Sequence, residues 1–175
     1  MIVVMASNQD RRYADRAAGL VTAILLVCLG ILGFALYLQH VLDLDPCPWC
    51  VVQRLAFIVI ALVCVIAIMI RPSGGGITFT SLAIGLIAAG GIAAASYHIY
   101  IQSDPARAQS CAGSVVERLL DASKLGKWVP PLLQYDGACT LKPWSLLGLS
   151  IPEWSLAWFV VLLAAAIAMP FAARR

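Results

Sequence analysis

The sequence predicts an all-α membrane protein, a bundle of four transmembrane helices with both termini cytoplasmic and a short interfacial helix in the second of two outer loops. Three observations carry this. The 175-residue chain is 62% hydrophobic and only 12% charged, about half the charged fraction of a soluble domain. The charges are also segregated: 17–42, 77–102 and 154–173 hold no Asp, Glu, Lys or Arg, and 51–70 holds only Arg54. Each stretch can supply the ~20 residues that cross a ~30 Å hydrocarbon core. Finally, segments 1–16, 71–76 and 173–175 carry six arginines in 25 positions, whereas 39–50 and 102–153 carry five Lys or Arg in 64. The cationic set faces the cytoplasm, which puts both longer connections outside.

The elements follow in order. One domain, 1–175, has spans at about 17–38, 51–70, 77–100 and 154–171, and outer loops at 39–50 and 102–153. The first apolar run is too long for a signal-peptide core and lacks a small-x-small cleavage site, so it is expected to stay as a permanent span. The second span starts after Pro46 and Pro48, residues suited to a helix entrance, and ends before Arg71-Pro72. Gly74-Gly75-Gly76 reads as a tight turn before the third span. In the second outer loop, Ser114-Val115-Val116-Glu117 has the capping-box pattern, followed by Leu119 and Leu120, which predicts a short helix at about 115–122. Trp144 to Trp154 brackets leucines and an isoleucine between two indoles, a composition expected to lie flat in the headgroup region of the bilayer. Tyr97 and Tyr100 read as interfacial aromatics. The net charge of +3 is too small and scattered to argue for nucleic acid.

Four of the six cysteines fall outside the apolar cores of the spans. Cys47-Pro48-Trp49-Cys50 abuts the second span, and Cys111 and Cys139 lie in the long loop. Both pairs are expected on the side of the membrane where disulfides persist. A Cys-x-x-Cys at a helix N-terminus is a reactive arrangement, because unpaired N–H groups and the helix dipole stabilise a thiolate. Cys50 is expected at or next to the cap of the second helix. A structural disulfide or half a zinc site are the alternatives; zinc is disfavoured because only His98 and His40 could join the cysteines, so no metal is expected. Arg54 lies one turn beyond Cys50, on the same face. An intramembrane arginine costs at least ~2–3 kcal/mol unless it is paired or snorkels. Its guanidinium can sit under the Cys50 sulfur and donate to a bound polar headgroup; a snorkelling arginine is the alternative. His98 falls near the outer end of the third span, at the depth of Cys50 and Arg54. Cys111 and Cys139 read equally well as a structural crosslink, worth roughly 3–4 kcal/mol for a loop of this length, or as a redox pair. Cys28 and Cys64 read as apolar packing residues.

These residues closely resemble the disulfide bond formation protein B (DsbB) family of bacterial thiol:quinone oxidoreductases. The resemblance spans nearly the whole chain: Pro46-Cys47-Pro48-Trp49-Cys50, Gln53-Arg54, His98 thirteen residues before Cys111, Lys127-Trp128-Val129-Pro130, Cys139, Trp144, Leu147-Gly148-Leu149 and Pro152-Glu153-Trp154. It implies a multi-pass protein of the bacterial inner membrane, with both cysteine-bearing loops periplasmic. That family is the known means by which a bacterial periplasm is kept oxidising. The resemblance further implies that Cys111 and Cys139 form the disulfide that oxidises a DsbA-like periplasmic protein of thioredoxin fold. The partner's thiolate would attack Cys111, Cys139 would then attack Cys47, and Cys50 would pass the electrons to ubiquinone or menaquinone. Cys50, Arg54 and His98 would face the quinone. Relative to some family members, the central Pro48-Trp49 is bulkier.

Two other readings compete. A vitamin K epoxide reductase-like enzyme is also a small quinone-linked bundle, but there the membrane-adjacent Cys-x-x-Cys precedes a late helix. A non-enzymatic membrane protein with structural disulfides would need no acceptor.

Overall fold

The computed structural model describes residues 8–71, 74–104, 115–124, 130–137, 139 and 144–174. Helix α1 spans Asn8–His40, α2 Pro48–Ile70 and α3 Gly74–Gln102. In the long connection lie α4 (Val115–Ser123), α5 (Pro130–Leu133) and a hairpin of β1 (Ser145–Leu146) with β2 (Leu149–Ser150), before α6 (Ile151–Arg174). Four of the helices are long and apolar enough to cross a membrane: Asp15–His40, Pro48–Ile70, Gly75–Gln102 and Ile151–Ala172. Each runs somewhat past the apolar stretch visible in the sequence, because the helical ladder satisfies backbone groups that would otherwise be lost to hydrocarbon.

The long helices form a ring: α1 packs on α2, α2 on α3, α3 most extensively on α6, and α6 back on α1. The centre is apolar. Phe57 of α2 and Phe159 of α6 stack with ring centroids 4.2 Å apart and planes within 9°. Gly91 of α3 sits under the Phe159 ring, where a Cβ would collide with it. Small residues that let helices approach are the usual means of packing where water gives no drive between helices. Ser81 Oγ adds an interhelical bond, donating to the Ala166 carbonyl at 2.5 Å. Cys28 and Cys64 are free and wholly buried in this cluster. Leu26, Leu29, Ile66, Met69, Phe79, Leu86, Ile167 and Phe171 point outward, forming the apolar exterior that lipid requires.

Local chemistry fixes the helix ends, and in places differs from expectation. The N-cap of α2 is Cys47, not Cys50: its backbone is extended (φ −85°, ψ 165°), its sulfur accepts from the Cys50 N–H, and Pro48 fills the first helical position. A thiol two lone pairs rich thus does what Ser or Asp does at most N-termini, and α2 starts three residues earlier than the apolar run. Arg71 closes α2 in a left-handed conformation (φ 48°), donating its N–H to Ala67 O at 2.9 Å. The glycine triplet 74–76 is not a free turn; it forms the first turn of α3, where low helix propensity costs least.

The Trp144–Trp154 segment folds into a hairpin. Leu147 (φ 55°) and Gly148 (φ 82°) make a two-residue turn with both φ positive, the turn whose twist suits a hairpin. Ser145 pairs with Ser150 and Leu146 with Leu149. Trp154 Nε1 donates back to Leu146 O at 3.1 Å. Ser150 begins α6 through a capping box: its N–H and its hydroxyl both donate to Glu153 Oε2 at 2.6 Å. Helix α4 lies over the end of α2, with Leu120 and Val116 packed beside Val51 and Leu133; Ser114 lies outside the described residues. Tyr135 Oη ties α4 to the segment after α5 by donating to Asp121 Oδ1 at 2.5 Å.

Candidate active site

The Cys-x-x-Cys pair occupies the first turn of α2, at the loop end of the bundle. Cys47 and Cys50 are free, and Cys47 Sγ donates to Cys50 Sγ over 3.1 Å while Cys50 N–H points back to Cys47 Sγ at 3.3 Å. Cys47 is buried (3% exposed) and Cys50 half-buried. The two sulfurs are therefore inequivalent. The hydrogen bond given to Cys50, together with burial, holds the Cys47 thiol above the ordinary thiol range.

Arg54 is 8% exposed. Its guanidinium does not simply sit under Cys50; it reaches across to the neighbouring elements. Nη1 donates to Gln39 Oε1 at 2.5 Å and to Leu132 O at 3.2 Å, and Nη2 donates to Ala35 O at 3.2 Å. Three of the five guanidinium donors are thereby committed to α1 and α5, which answers how α2 tolerates a cation inside its apolar span. Arg54 remains close enough to Cys50 to interact with it electrostatically.

His98 of α3 is buried, at 1% exposed. It faces Cys47 rather than Cys50: Nε2 lies 3.4 Å from Cys47 Sγ, and Nδ1 lies 3.3 Å from Gln53 Nε2. With the Gln53 amide donating to Nδ1, the ring proton sits on Nε2 and points at Cys47; with the amide reversed, Nε2 offers its lone pair instead. The ring also lies near the backbone of Cys139.

Cys139 is disulfide-bonded and 2% exposed. It shares a small buried cluster with Cys47 and Ile101, edged by Trp49 and Cys50. Residues from the two loops thus converge on one sulfur. Cys111 lies outside the described residues.

A cavity of about 440 Å³ opens beside these groups, within the usual size range for small-molecule sites. Its walls include Ile31, Leu32 and Phe57 on the apolar side and Cys50, Arg54 and His98 on the polar side. Such a cavity, with the Arg54 guanidinium in its wall, suits a flat, apolar ring with carbonyl acceptors. Cys47, Cys50 and His98 also place three metal-capable atoms within 4.8 Å of one another, a soft donor set available to an ion only with both cysteines reduced.

Two residues of the site went unassigned in the sequence. Gln53 carries a visible signal, being the one other polar side chain in the first turns of an apolar span and sharing a helical face with Cys50. Gln39 carries none, because its role depends on how α1 crosses α2. His40 takes no part in the cavity lining.

Comparison with known proteins bears on this constellation directly. Residues 16–169 match the family model described as disulfide bond formation protein DsbB. The chain is 41% identical over 140 residues to disulfide bond formation protein B of Herminiimonas arsenicoxydans, covering 80% of this chain and 86% of the relative. It is 39% identical over 139 residues to that of Ralstonia nicotianae (79% and 84%), and 36% identical over 157 residues to that of Aromatoleum aromaticum (90% and 94%). With four apolar helices, a helix-capping cysteine pair and this similarity along most of its length, the chain belongs to the DsbB family of disulfide bond formation proteins, oxidoreductases that are multi-pass in the bacterial inner membrane.

Proposed function

We propose that this protein reoxidises a DsbA-like periplasmic dithiol protein and delivers the electrons to a membrane quinone, with both termini cytoplasmic and both cysteine-bearing loops periplasmic. The observation that carries the reading is the pairing of Cys47 and Cys50 at the wall of an apolar cavity that also holds Arg54, with Cys139 packed on Cys47.

The chain's own residues divide the work. The partner's thiolate attacks Cys111 of a Cys111–Cys139 disulfide, and Cys139 leaves as a thiolate. Cys139 then attacks Cys47 of a closed Cys47–Cys50 disulfide. Cys50 leaves with the electron pair, at the third position of α2, where backbone N–H groups and the Arg54 charge favour the anion. A bound quinone supplies a two-electron, two-proton sink at this point. When the partner's second thiol attacks the mixed disulfide, the oxidised partner departs and the freed Cys111 thiolate attacks Cys139, restoring Cys111–Cys139 and releasing Cys47, which closes again on Cys50 as the electron pair passes to the acceptor. His98, steered by Gln53, stands beside Cys47 to exchange a proton as that sulfur alternates between thiol and disulfide. Arg54 is held by Gln39, Ala35 and Leu132, so its orientation does not depend on the ligand. Ubiquinone and menaquinone share the ring and carbonyl chemistry that the cavity suits, and both are candidates.

The test uses the purified protein in detergent with a reduced DsbA-like partner and a soluble ubiquinone analogue. Quinone reduction that requires both the protein and the partner is expected, with loss in Cys50→Ser. No stimulation by the wild-type protein, or full activity of Cys50→Ser, overturns the reading.

A further inference from the structure

The transfer between the two cysteine pairs requires two loops, separated by a whole helix hairpin in sequence, to meet at one sulfur. We infer that Gly137 is the positioning residue for this transfer: its backbone clasps Pro46 and holds Cys139 pre-docked against Cys47. The inference rests on the proposed function for its meaning, and on four observations for its geometry.

Gly137 N–H donates to Pro46 O at 3.1 Å. The donor lies two residues before Cys139, and the acceptor lies one residue before Cys47, so the bond fixes the two sulfurs' backbones within a short tether on each side. Pro46 and Pro48 flank Cys47 and are buried, and a proline fixes its own φ, so the acceptor side is stiff. Gly137 passes so close to the first loop that a Cβ on it would collide with the Asp45 carbonyl oxygen, and would also come within 3.0 Å of Asp45 C and 3.1 Å of Pro46 C. These are backbone atoms, which cannot rotate aside as a side chain could. Gly137 is not in the left-handed region, so the position requires glycine for space and not for conformation. Finally, Cys139 is buried in one cluster with Cys47.

The step served is a thiol–disulfide exchange. The Cys139 sulfur forms a bond to Cys47 Sγ as the Cys47–Cys50 bond breaks, and the electron pair leaves on Cys50. One thiolate enters and one departs, so no external oxidant or proton is consumed. Reaction between groups held in place runs at a high effective concentration, and a displacement of about 1 Å can cost on the order of 10²-fold.

The experiment isolates docking from both quinone and partner. In a Cys50→Ser, Cys111→Ser background, Cys47 and Cys139 remain as the loop thiols, and equilibration with a glutathione redox buffer gives the effective concentration of one for the other. Gly137→Ala is expected to lower that value roughly 10- to 100-fold. In a second background, Cys111→Ser with Cys139→Ser, oxidation of the Cys47–Cys50 pair by a quinone analogue reports whether the first site is intact. The inference stands if Gly137→Ala lowers the first measurement by at least about fivefold more than the second, since Gly137 borders the same cavity and a small effect on the first site is expected. It is overturned if the effective concentration is unchanged, or if both measurements fall together. A failure of the wild-type relay to reduce quinone would sink the proposed function while leaving the glutathione measurement readable.

Discussion

Helix α2 carries two cysteines on its buried side, Cys50 and Cys64, and the contrast between them separates a packing thiol from a reactive one. Cys64 lies in the central apolar cluster with Cys28 for company, and both are fully buried and free. Cys50 lies in the first turn, with the Cys47 thiol donating to it, Arg54 one turn away and a cavity at its side. Thiol proximity is common to both places. Only the loop end adds a helix N-terminus, a cation and access for a ligand. Reactivity therefore follows from where the helix begins, not from how many sulfurs it gathers.

The largest expected effect removes the reactive member of this comparison. Cys50→Ser should reduce quinone-linked turnover by more than about 10³-fold, since a hydroxyl at neutral pH neither leaves nor transfers electrons as a thiolate does. Cys28→Ala with Cys64→Ala should retain turnover, at a cost of about 1–2 kcal/mol in stability for lost core volume. Steady-state kinetics beside a denaturant titration checks both; equal loss of activity in the two variants would erase the distinction.

Arg54 is next. Arg54→Met should slow quinone-linked turnover by about 10²-fold, the scale of losing one preorganised electrostatic group. Arg54→Lys should not restore it, because a single ammonium cannot hold Gln39, Ala35 and Leu132 in their present geometry. A KM-against-kcat analysis with the quinone as varied substrate reads this, and full rescue by lysine would show that charge alone matters.

A smaller effect is expected at Gln53. Gln53→Leu removes the partner that orients the His98 ring and should slow turnover roughly tenfold, with a change in the pH–rate profile, as general acid–base roles require. An unchanged profile would reduce Gln53 to a filler of space.

The smallest effect is a difference in labelling. In the reduced protein, the Cys47 thiol is held above the ordinary range by its bond to Cys50 and by burial. A free thiol gains about tenfold in alkylation rate per pH unit below its pKa of ~8.5. Cys47 should alkylate more slowly than a free thiol throughout about pH 7 to 9, because a raised pKa keeps its thiolate fraction below that of a free thiol at every pH in that window. Mass spectrometry of pulse-alkylated protein checks this; alkylation of Cys47 as fast as a free thiol at pH 7 would contradict the hydrogen-bond direction.

The same contrast explains what the sequence could reveal. The four spans were legible because charge exclusion is a property of contiguous residues, and the Cys-x-x-Cys at the start of α2 was legible because capping is local. The cap was expected at or next to Cys50 and is Cys47, since either cysteine satisfies the pattern and only backbone geometry separates them. Arg54 was visible as a cation in an apolar run, but its three acceptors come from α1 and α5, and no spacing rule links 54 to 39 or 132. His98 was visible by depth alone; that it faces Cys47 depends on how α3 crosses α2. The Trp144–Trp154 segment showed its indoles, yet its hairpin rests on positive φ at Leu147 and Gly148, and leucine is not a residue that advertises such a turn.

The most direct test of the central claim, that the Cys50 sulfur delivers electrons to a quinone at the loop end of α2, is visible absorption spectroscopy of the purified protein mixed with ubiquinone. A new band is expected in the wild-type protein and in Cys64→Ala, and none in Cys50→Ser or after Cys50 is alkylated. A band that survives the loss of Cys50, or its absence from the wild-type protein, would contradict the account.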